Sequence, residues 1–212
     1  MGASSCRTGC AGSRGVTLVE ALLATALLIG VITAASGLYV SAMQAQHGAE
    51  AQARVQDMAR NVVSQIDQDV KAARSVLESV TIGGTLYQSS SSTLVLKIPA
   101  LGSGGFVAGG YDTVVYTYDA GSQAVRVVVS PDAQSVRPAE NRLIAQSAIQ
   151  SLSFAYYTIA LAEKDPGTSP PGWDDVVLVR TSVTAATVGG GEAYSSSLEN
   201  EARLRNWEPP AS

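Results

Sequence analysis

Histidine and cysteine are almost absent from this sequence of 212 residues. The only histidine is His47, and the only cysteines, Cys6 and Cys10, lie within the first fifteen residues. Catalysis by a Ser-His-Asp or Cys-His set is therefore excluded for the C-terminal part of the chain, because no base of this kind is present there. A Cys-x3-Cys pair without a nearby histidine is also a poor zinc site. We expect no catalytic residue, no metal and no cofactor, and hence no enzyme.

The acidic residues match no metal-binding loop either. Asp165, Asp174 and Asp175 lie in or beside the proline-rich segment 162–172. Calcium takes six to eight oxygen ligands, and the spacing of these three acids fits no known calcium loop. We interpret them as solvated side chains.

Basic residues are too few for an extended nucleic-acid-binding surface. The chain has 14 Lys and Arg against 18 Asp and Glu, a formal net charge of −4. Arg7 and Arg14 precede Gly15 and no acid does, so 14 minus two leaves 12 basic residues and a net charge of −6 beyond Gly15. Binding to a phosphate backbone relies on clustered cations, so nucleic acid is not expected to be a direct partner.

Charge is missing altogether from residues 21–46, which overlap an apolar segment that runs from Val16 to Val40. At about 1.5 Å per residue, a helix of this length crosses the hydrocarbon core of a membrane. Arg7 and Arg14 precede the segment, and Glu50 is the first charged residue after it. The positive-inside rule therefore predicts a single-pass membrane protein with a cytoplasmic N-terminus and an exported C-terminal part.

A secretory signal peptide, cut near the small residues 33–35, is an alternative interpretation of the same segment. Glu20 is evidence against it, because a carboxylate inside an apolar run is costly unless it is paired. An ionisable group in such a position indicates a function.

The residues around Glu20 resemble the cleavage and methylation motif of type IV prepilins, which is a Gly, an apolar residue, Thr or Ser, Leu, any residue and then Glu. Val16 stands where the family usually has Phe. The resemblance implies that a prepilin peptidase cuts between Gly15 and Val16 and methylates the new Val16 amine. It also implies that Glu20 pairs with the N-terminal amine of a neighbouring subunit during filament assembly. The matching stretch is Arg14-Gly15-Val16-Thr17-Leu18-Val19-Glu20.

Electrostatics agrees with the role that the resemblance gives to Glu20. A buried carboxylate needs a cationic partner, and the Val16 amine exists only after cleavage, so assembly would depend on processing. The alternative is a protonated Glu20 that pairs with nothing. Gly30 and Gly37 each weaken helix preference by roughly 1 kcal/mol relative to Ala. They predict either a flexible helix within a filament or close helix packing through small residues.

Apolar residues recur at steps of three and four from Val55 to Leu77, which predicts that an amphipathic helix continues the apolar one to about residue 78. The long helix is expected to bend at Gly30, Gly37 or Gly48. Its charged face is interpreted as solvated and consists of Arg54, Asp57, Arg60, Asp67, Lys71 and Arg74.

Beyond residue 80, short β-rich runs are separated by turn residues, which predicts an antiparallel sheet packed on the second half of the helix. The fold class is thus α+β, and the resemblance to prepilins implies the arrangement of a type IV pilin. Residues 119–123 are predicted to form a hairpin turn. The predicted strands are Thr93–Ile98, Thr113–Asp119, Ala124–Ser130, Ile149–Thr158 and Val176–Thr184. The predicted loops are Pro99–Tyr111, Ala162–Gly172 and Thr187–Glu192.

These patterns, together with the resemblance to prepilins, predict four parts. A leader peptide occupies 1–15, a transmembrane or filament-core helix 16–46, an amphipathic half-helix 47–78, and an extracytoplasmic β-rich head 79–212.

Three further stretches look like PilW-type minor pilins and GspJ-type pseudopilins. The resemblance implies a structural subunit that helps to prime a filament for a type IV pilus, type II secretion or DNA uptake. The implied partners are other pilins or pseudopilins, the prepilin peptidase, the inner-membrane assembly platform and, before assembly, the lipid bilayer. The stretches are Ile66–Ala73, Leu152–Tyr157 followed by Trp173, and Ala202–Asn206.

Two other functions stay open at this point. One is an exported adhesin or DNA-uptake head that is displayed on a pilin stalk. The other is an enzyme or carbohydrate-binding domain that is anchored by an uncleaved helix.

Overall fold

A computed structural model of the protein describes residues 17–166, 173–189 and 192–207. Helix α1 spans Leu18–Ala72, a length of 55 residues, and it remains helical through its glycines Gly30, Gly37 and Gly48. The chain divides into two compact units, with the boundary between Gln46 and His47. Gly15 and Val16, the predicted processing residues, lie outside the described residues.

The second part of α1 buries one apolar stripe. The buried residues recur at the helical spacing that the sequence predicts, and they are Gly48, Ala51, Val55, Ala59, Val62, Val63, Ile66 and Val70. The part of this stripe from Val55 to Val70 belongs to the main hydrophobic core of the second unit, together with strands from two sheets.

Helix α1 ends at Ala72, so the predicted end at about residue 78 is wrong. The carbonyl of Ala72 accepts a hydrogen bond from Asn206 Nδ2 at 2.8 Å, which satisfies one of the groups that a helix end leaves open. Ala73 and Val76 are fully buried, so the apolar spacing continues although the backbone has become extended. Periodicity alone therefore does not distinguish a continuing helix from an extended segment whose buried residues keep the same spacing.

Eleven strands follow α1 within the described residues. They are β1 (Ser75–Val76), β2 (Ser79–Ile82), β3 (Thr85–Gln88), β4 (Thr93–Gly102), β5 (Gly105–Asp119), β6 (Ala124–Ser130), β7 (Glu140–Ala145), β8 (Ile149–Thr158), β9 (Glu163–Lys164), β10 (Val176–Gly189) and β11 (Glu192–Arg203). A short 3-10 helix, Trp173–Asp175, precedes β10. All of the strand pairs are antiparallel. The α+β class is confirmed.

The strands form two main sheets and a small hairpin, whereas the sequence predicted one sheet. The first sheet has the order β1-β4-β5-β6-β7 and the second has the order β11-β10-β8-β9, while β2 and β3 pair only with each other. The main core lies among α1 and the inner faces of both sheets. A smaller cluster of Val95, Val115 and Val128 on the first sheet is covered by side chains that include Val80, Ile82 and Tyr87.

The predicted loop Pro99–Tyr111 is instead the end of the β4–β5 hairpin. Leu101 pairs with Phe106, and Gly102 pairs with Gly105, across the ladder. Gly105 has a φ of 123°, a conformation that favours glycine, so the turn itself accounts for part of the glycine content. The high glycine content therefore hid a pair of strands.

The other two predicted loops also contain strand. Residues 187–189 belong to β10, and Gly189 pairs with Glu192 at the start of β11. The interval 162–172 includes β9, which pairs with β8. Ladder pairing to a neighbouring strand thus extends into segments whose composition is typical of loops.

Candidate functional site

Thr17 and Glu20, two residues of the predicted motif, are brought together at the start of α1. Thr17 Oγ1 accepts a hydrogen bond from the Glu20 backbone N–H at 3.3 Å, and the Thr17 carbonyl accepts one from the Ala21 N–H at 3.1 Å. A Thr three residues ahead of a Glu is the capping-box spacing, in which side chains satisfy the open N–H groups of the first turn. Thr17 therefore fixes the turn that carries Glu20.

Glu20 itself is exposed and lies in the first turn of α1. Among the residues that the structure describes, no cation forms an ion pair with it. A carboxylate near a helix N-terminus is stabilised by the helix dipole, typically by about 0.3–1 kcal/mol. A further cationic partner would have to come from outside the described residues.

The apolar side chains that follow Glu20 are exposed on every side of the helix. Leu22, the first large one, is 61% exposed, and Met43, the last, is 40% exposed. An 18-residue window of α1 has a mean hydropathy of 2.2, and none of it is buried. By length and composition this part of α1 is able to cross a membrane. A helix that is apolar all round needs surroundings that are also apolar.

The glycines of α1 have different surroundings. A Cβ added at Gly30 or Gly37 would meet no atom within 4 Å. A Cβ added at Gly48 would lie 2.5 Å from Tyr194 Oη, so Gly48 permits a close approach of β11 to the helix. The flexibility predicted for Gly30 and Gly37 within a filament stays a prediction.

The sequence predicted that the charged residues near the C-terminal end of α1 are solvated. The structure instead gives several of them partners within the protein. Asp67 Oδ1 accepts a hydrogen bond from Asn200 Nδ2 at 2.8 Å, and Asp67 Oδ2 accepts one from Lys71 Nζ at 2.6 Å. Arg74 Nη1 donates to the Tyr111 hydroxyl at 2.6 Å. The Asp67 contact fixes the helix to β11, which carries Asn200, and the Arg74 contact fixes the segment that follows the helix to β5, which carries Tyr111.

A neighbouring acid, Asp69, reaches the core. It accepts a hydrogen bond from the hydroxyl of Tyr116, which is fully buried. Burial raises the pKa of the Asp69 carboxyl, although the Tyr116 hydrogen bond acts in the opposite direction. Burial also raises the pKa of Tyr116 well above its ordinary range, so this hydroxyl remains a donor. The pair holds α1 in register against β5.

The acids considered for calcium have other contacts. Asp175 Oδ1 accepts a hydrogen bond from Lys164 Nζ at 2.8 Å, and the Asp174 carbonyl accepts one from Trp207 Nε1 at 2.6 Å. Within residues 17–166, 173–189 and 192–207, no group of three or more His, Cys, Asp and Glu is placed to hold a metal ion.

Sequence reasoning missed a surface at the end of the β4–β5 hairpin. Phe106 is 74% exposed there, and it lines two adjoining cavities of about 360 and 570 Å³. Arg205 also lines both cavities. The available signal was the pair of apolar dipeptides, Ala100-Leu101 and Phe106-Val107, on either side of a Gly-Ser-Gly-Gly run. Such flanking residues indicate a hairpin rather than a free loop.

Comparison with known proteins adds no family to these observations. No protein-family model matches the chain, and no curated protein sequence is significantly similar to it.

Proposed function

We propose that this chain is a structural subunit of a type IV pilus-like filament, of the minor-pilin or pseudopilin kind. A prepilin peptidase cuts it between Gly15 and Val16, and the product enters a filament through the apolar part of α1. Before assembly, that part of the helix lies in the inner membrane and the β-rich head lies outside the cytoplasm.

The observation that carries the proposal is the start of α1. The ionisable side chain of Glu20 lies in the first turn of a helix whose following side chains, up to Met43, are mostly apolar and are exposed. Lipid or the apolar helices of other subunits would satisfy the apolar surface, but neither would satisfy the carboxylate. An amine at the N-terminus of a processed neighbouring subunit would satisfy it.

Processing and assembly are linked in this account. The Val16 amine becomes available only after the bond to Gly15 is cut, so an uncut chain has no such amine to offer to the Glu20 of a neighbour. Thr17 supports the arrangement because its hydrogen bond to the Glu20 N–H defines the first turn. No step of this role needs a catalytic group, a metal or a cofactor.

The head supports a structural role through its attachment to α1. The buried stripe from Val55 to Val70 packs in the same core as both main sheets. Polar contacts from Asp67, Asp69 and Arg74 add further links to the strands. A head that is firmly attached to its helix suits a subunit that must be held in place within an assembly.

The test is incorporation of a Glu20→Gln variant into sheared filaments of the producing cell. Glu50→Gln is the matched control, because Glu50 is an exposed acid on the same helix whose nearest cation is Arg54 at 3.8 Å. We expect Glu20→Gln to remain in the membrane fraction, while Glu50→Gln and the wild type enter the filament fraction. Equal incorporation of all three would contradict the assembly role of Glu20.

A further inference from the structure

The surface at the end of the β4–β5 hairpin has an apolar part that is formed by three neighbouring side chains. Leu101, Phe106 and Val136 are 37%, 74% and 62% exposed. Leu101 pairs with Phe106 across the ladder, and the Val136 N–H donates to the Leu101 carbonyl at 2.6 Å. Adjacent exposed apolar residues indicate a contact surface more strongly than scattered single ones do.

Basic side chains border this apolar part. Lys71, Arg137 and Arg205 line the cavity of about 570 Å³ together with Leu101 and Phe106. Arg205 is exposed, and among the described residues its guanidinium has no ion-pair partner. We call Leu101, Phe106, Val136, Arg137 and Arg205 the hairpin-end surface.

The charge around the two cavities is opposite to that of the rest of the chain. Their described lining contains the four basic residues Lys71, Arg74, Arg137 and Arg205 but a single acid, Asp67. Of the 12 basic and 18 acidic residues that follow Gly15, this leaves eight basic and 17 acidic elsewhere. Even with the buried Asp112, which pairs with Arg137 at 3.3 Å, the local balance is positive.

Internal contacts hold the hairpin-end surface in place. The Asp112 carboxylate is fully buried, and it accepts hydrogen bonds from the Asp132 N–H at 2.8 Å and from the Ser135 hydroxyl at 2.9 Å. These contacts fix the segment that carries Val136 and Arg137. A surface that is ordered before binding loses less conformational entropy when a partner docks.

We propose that the hairpin-end surface binds an acidic segment of another protein, in which apolar side chains lie between Asp or Glu residues. The apolar side chains of the segment contact Phe106 and its neighbours, and its carboxylates meet Arg205 and Arg137. Aromatic and Arg residues at the centre of a contact typically contribute most of its affinity, and complementary charge selects the partner. This binding does not depend on the proposed filament role.

Nucleic acid and anionic lipid fit this surface less well. Lys97 Nζ and the Arg74 guanidinium lie 4.3 Å and 5.5 Å from the centre of the Tyr111 ring, so cations already approach that ring. Among the lining residues that the structure describes, Phe106 is then the one aromatic side chain that is largely exposed, whereas single strands are bound on several stacking rings. The chain beyond Gly15 has a net charge of −6, which opposes its approach to the high charge density of a polyanionic strand or an anionic bilayer more strongly than its approach to a short peptide.

The test is fluorescence anisotropy with the full chain in detergent micelles. The probes are labelled decapeptides in which Asp or Glu alternates with Leu or Phe, and a matched set in which Asn and Gln replace the acids. We expect binding of the acidic set, at least tenfold weaker binding of the neutral set, and a similar loss for Phe106→Ser and for Arg205→Glu.

Arg126→Glu is the matched control, because Arg126 is an exposed Arg on β6 that is hydrogen-bonded to Asn141. It should bind the acidic peptides as the wild type does. Arg205→Glu should also gain affinity for decapeptides that carry Lys in place of the acids, a result that a misfolded variant would not give. Equal binding of acidic and neutral peptides, or tighter binding of oligothymidylate or of vesicles rich in anionic lipid, would overturn the proposal.

Discussion

Two stretches of the same helix differ in what surrounds them. Residues 18–46 of α1 carry apolar side chains that are exposed on all sides, whereas residues 47–72 present one buried stripe and one charged face. Both stretches are helical through the same backbone hydrogen bonds. The composition of the faces decides the surroundings that each stretch requires.

The apolar stripe of the second stretch is buried by other residues of the same chain. Val55, Ile66 and Val70 are 2% exposed or less, and they pack among residues of both sheets. The first stretch has no such one-sided pattern, so a sheet that covers one face would leave the remaining faces in water. Its surroundings must enclose it, as lipid or a bundle of apolar helices does. This difference supports a subunit that completes its burial only in a membrane or an assembly.

The largest expected effect comes from a cavity in the second stretch. Ile66→Ala removes a side chain that is 0% exposed and should destabilise the head by about 2–5 kcal/mol. Urea unfolding of the full chain in micelles, followed by tryptophan fluorescence, measures this change, because both tryptophans, Trp173 and Trp207, pack on the head core. Leu28→Ala, in the first stretch, should leave the urea midpoint unchanged. Equal losses of stability for Ile66→Ala and Leu28→Ala would contradict the difference between the two stretches of α1.

A smaller loss is expected from one hydroxyl. Tyr116→Phe leaves the partly buried Asp69 without its donor, which should cost about 1–3 kcal/mol in the same urea experiment. Tyr39→Phe is the matched control, because Tyr39 is 66% exposed in the first stretch. If Tyr116→Phe were as stable as Tyr39→Phe, the Asp69 contact would not anchor the helix.

The pH dependence of head stability should also depend on Asp69. Its pKa is raised above the ordinary value of 3.8 in the folded state, so the folded protein binds this proton more tightly than the unfolded chain does. The resulting stabilisation is present below pH 3.8 and is lost as pH rises through the folded pKa. Asp69→Asn should lack this loss, so its stability relative to wild type should increase as pH rises from 3.5 to 7. A constant difference between the two proteins would contradict the raised pKa.

The smallest expected effect distinguishes the glycines of the two stretches. Gly37→Ala should raise helix stability by roughly 0.5–1 kcal/mol, because the added methyl meets no other atom. Gly48→Ala should give less or none of this gain, since Tyr194 must move. Thermal melting followed by circular dichroism compares the two variants. The double variant Gly48→Ala with Tyr194→Ala should recover the gain. If Gly48→Ala alone were stabilised as much as Gly37→Ala, the close approach of Tyr194 to the helix would be unimportant.

The sequence predicted the central strands best. Ala124–Ser130 and Ile149–Thr158 have the predicted bounds, and the turn at 119–123 is confirmed by the pairing of Asp119 with Ala124. Continuous β-branched and aromatic runs, bounded by turn residues, specify these strands locally. Asp119 strengthens the turn, because its carboxylate accepts hydrogen bonds from the Gly121 N–H and the Ser122 hydroxyl.

The features that the sequence analysis predicted wrongly or did not predict depend on contacts between residues that are distant in the sequence. Strand β11 is rich in Ser and Glu, and only Ala202 in it is fully buried, so its sequence carries little apolar alternation. It forms because β10 pairs along its whole length. The end of α1 was missed because the buried Val76 in β1 continues the helical spacing. The hairpin-end surface combines a β-hairpin, the segment of Val136 and Arg137, and Arg205, which no local pattern brings together.

The central claim is that the chain is cut before α1 begins, which gives a neighbouring subunit an amine for Glu20. Mass spectrometry of the N-terminal peptide tests it most directly, on protein purified from membranes with and without a prepilin peptidase. The account predicts a chain that starts at Val16 and carries one N-methyl group when the peptidase is present, and an uncut chain when it is absent. An intact Met1 in both samples, or a cut within residues 33–35, would contradict it.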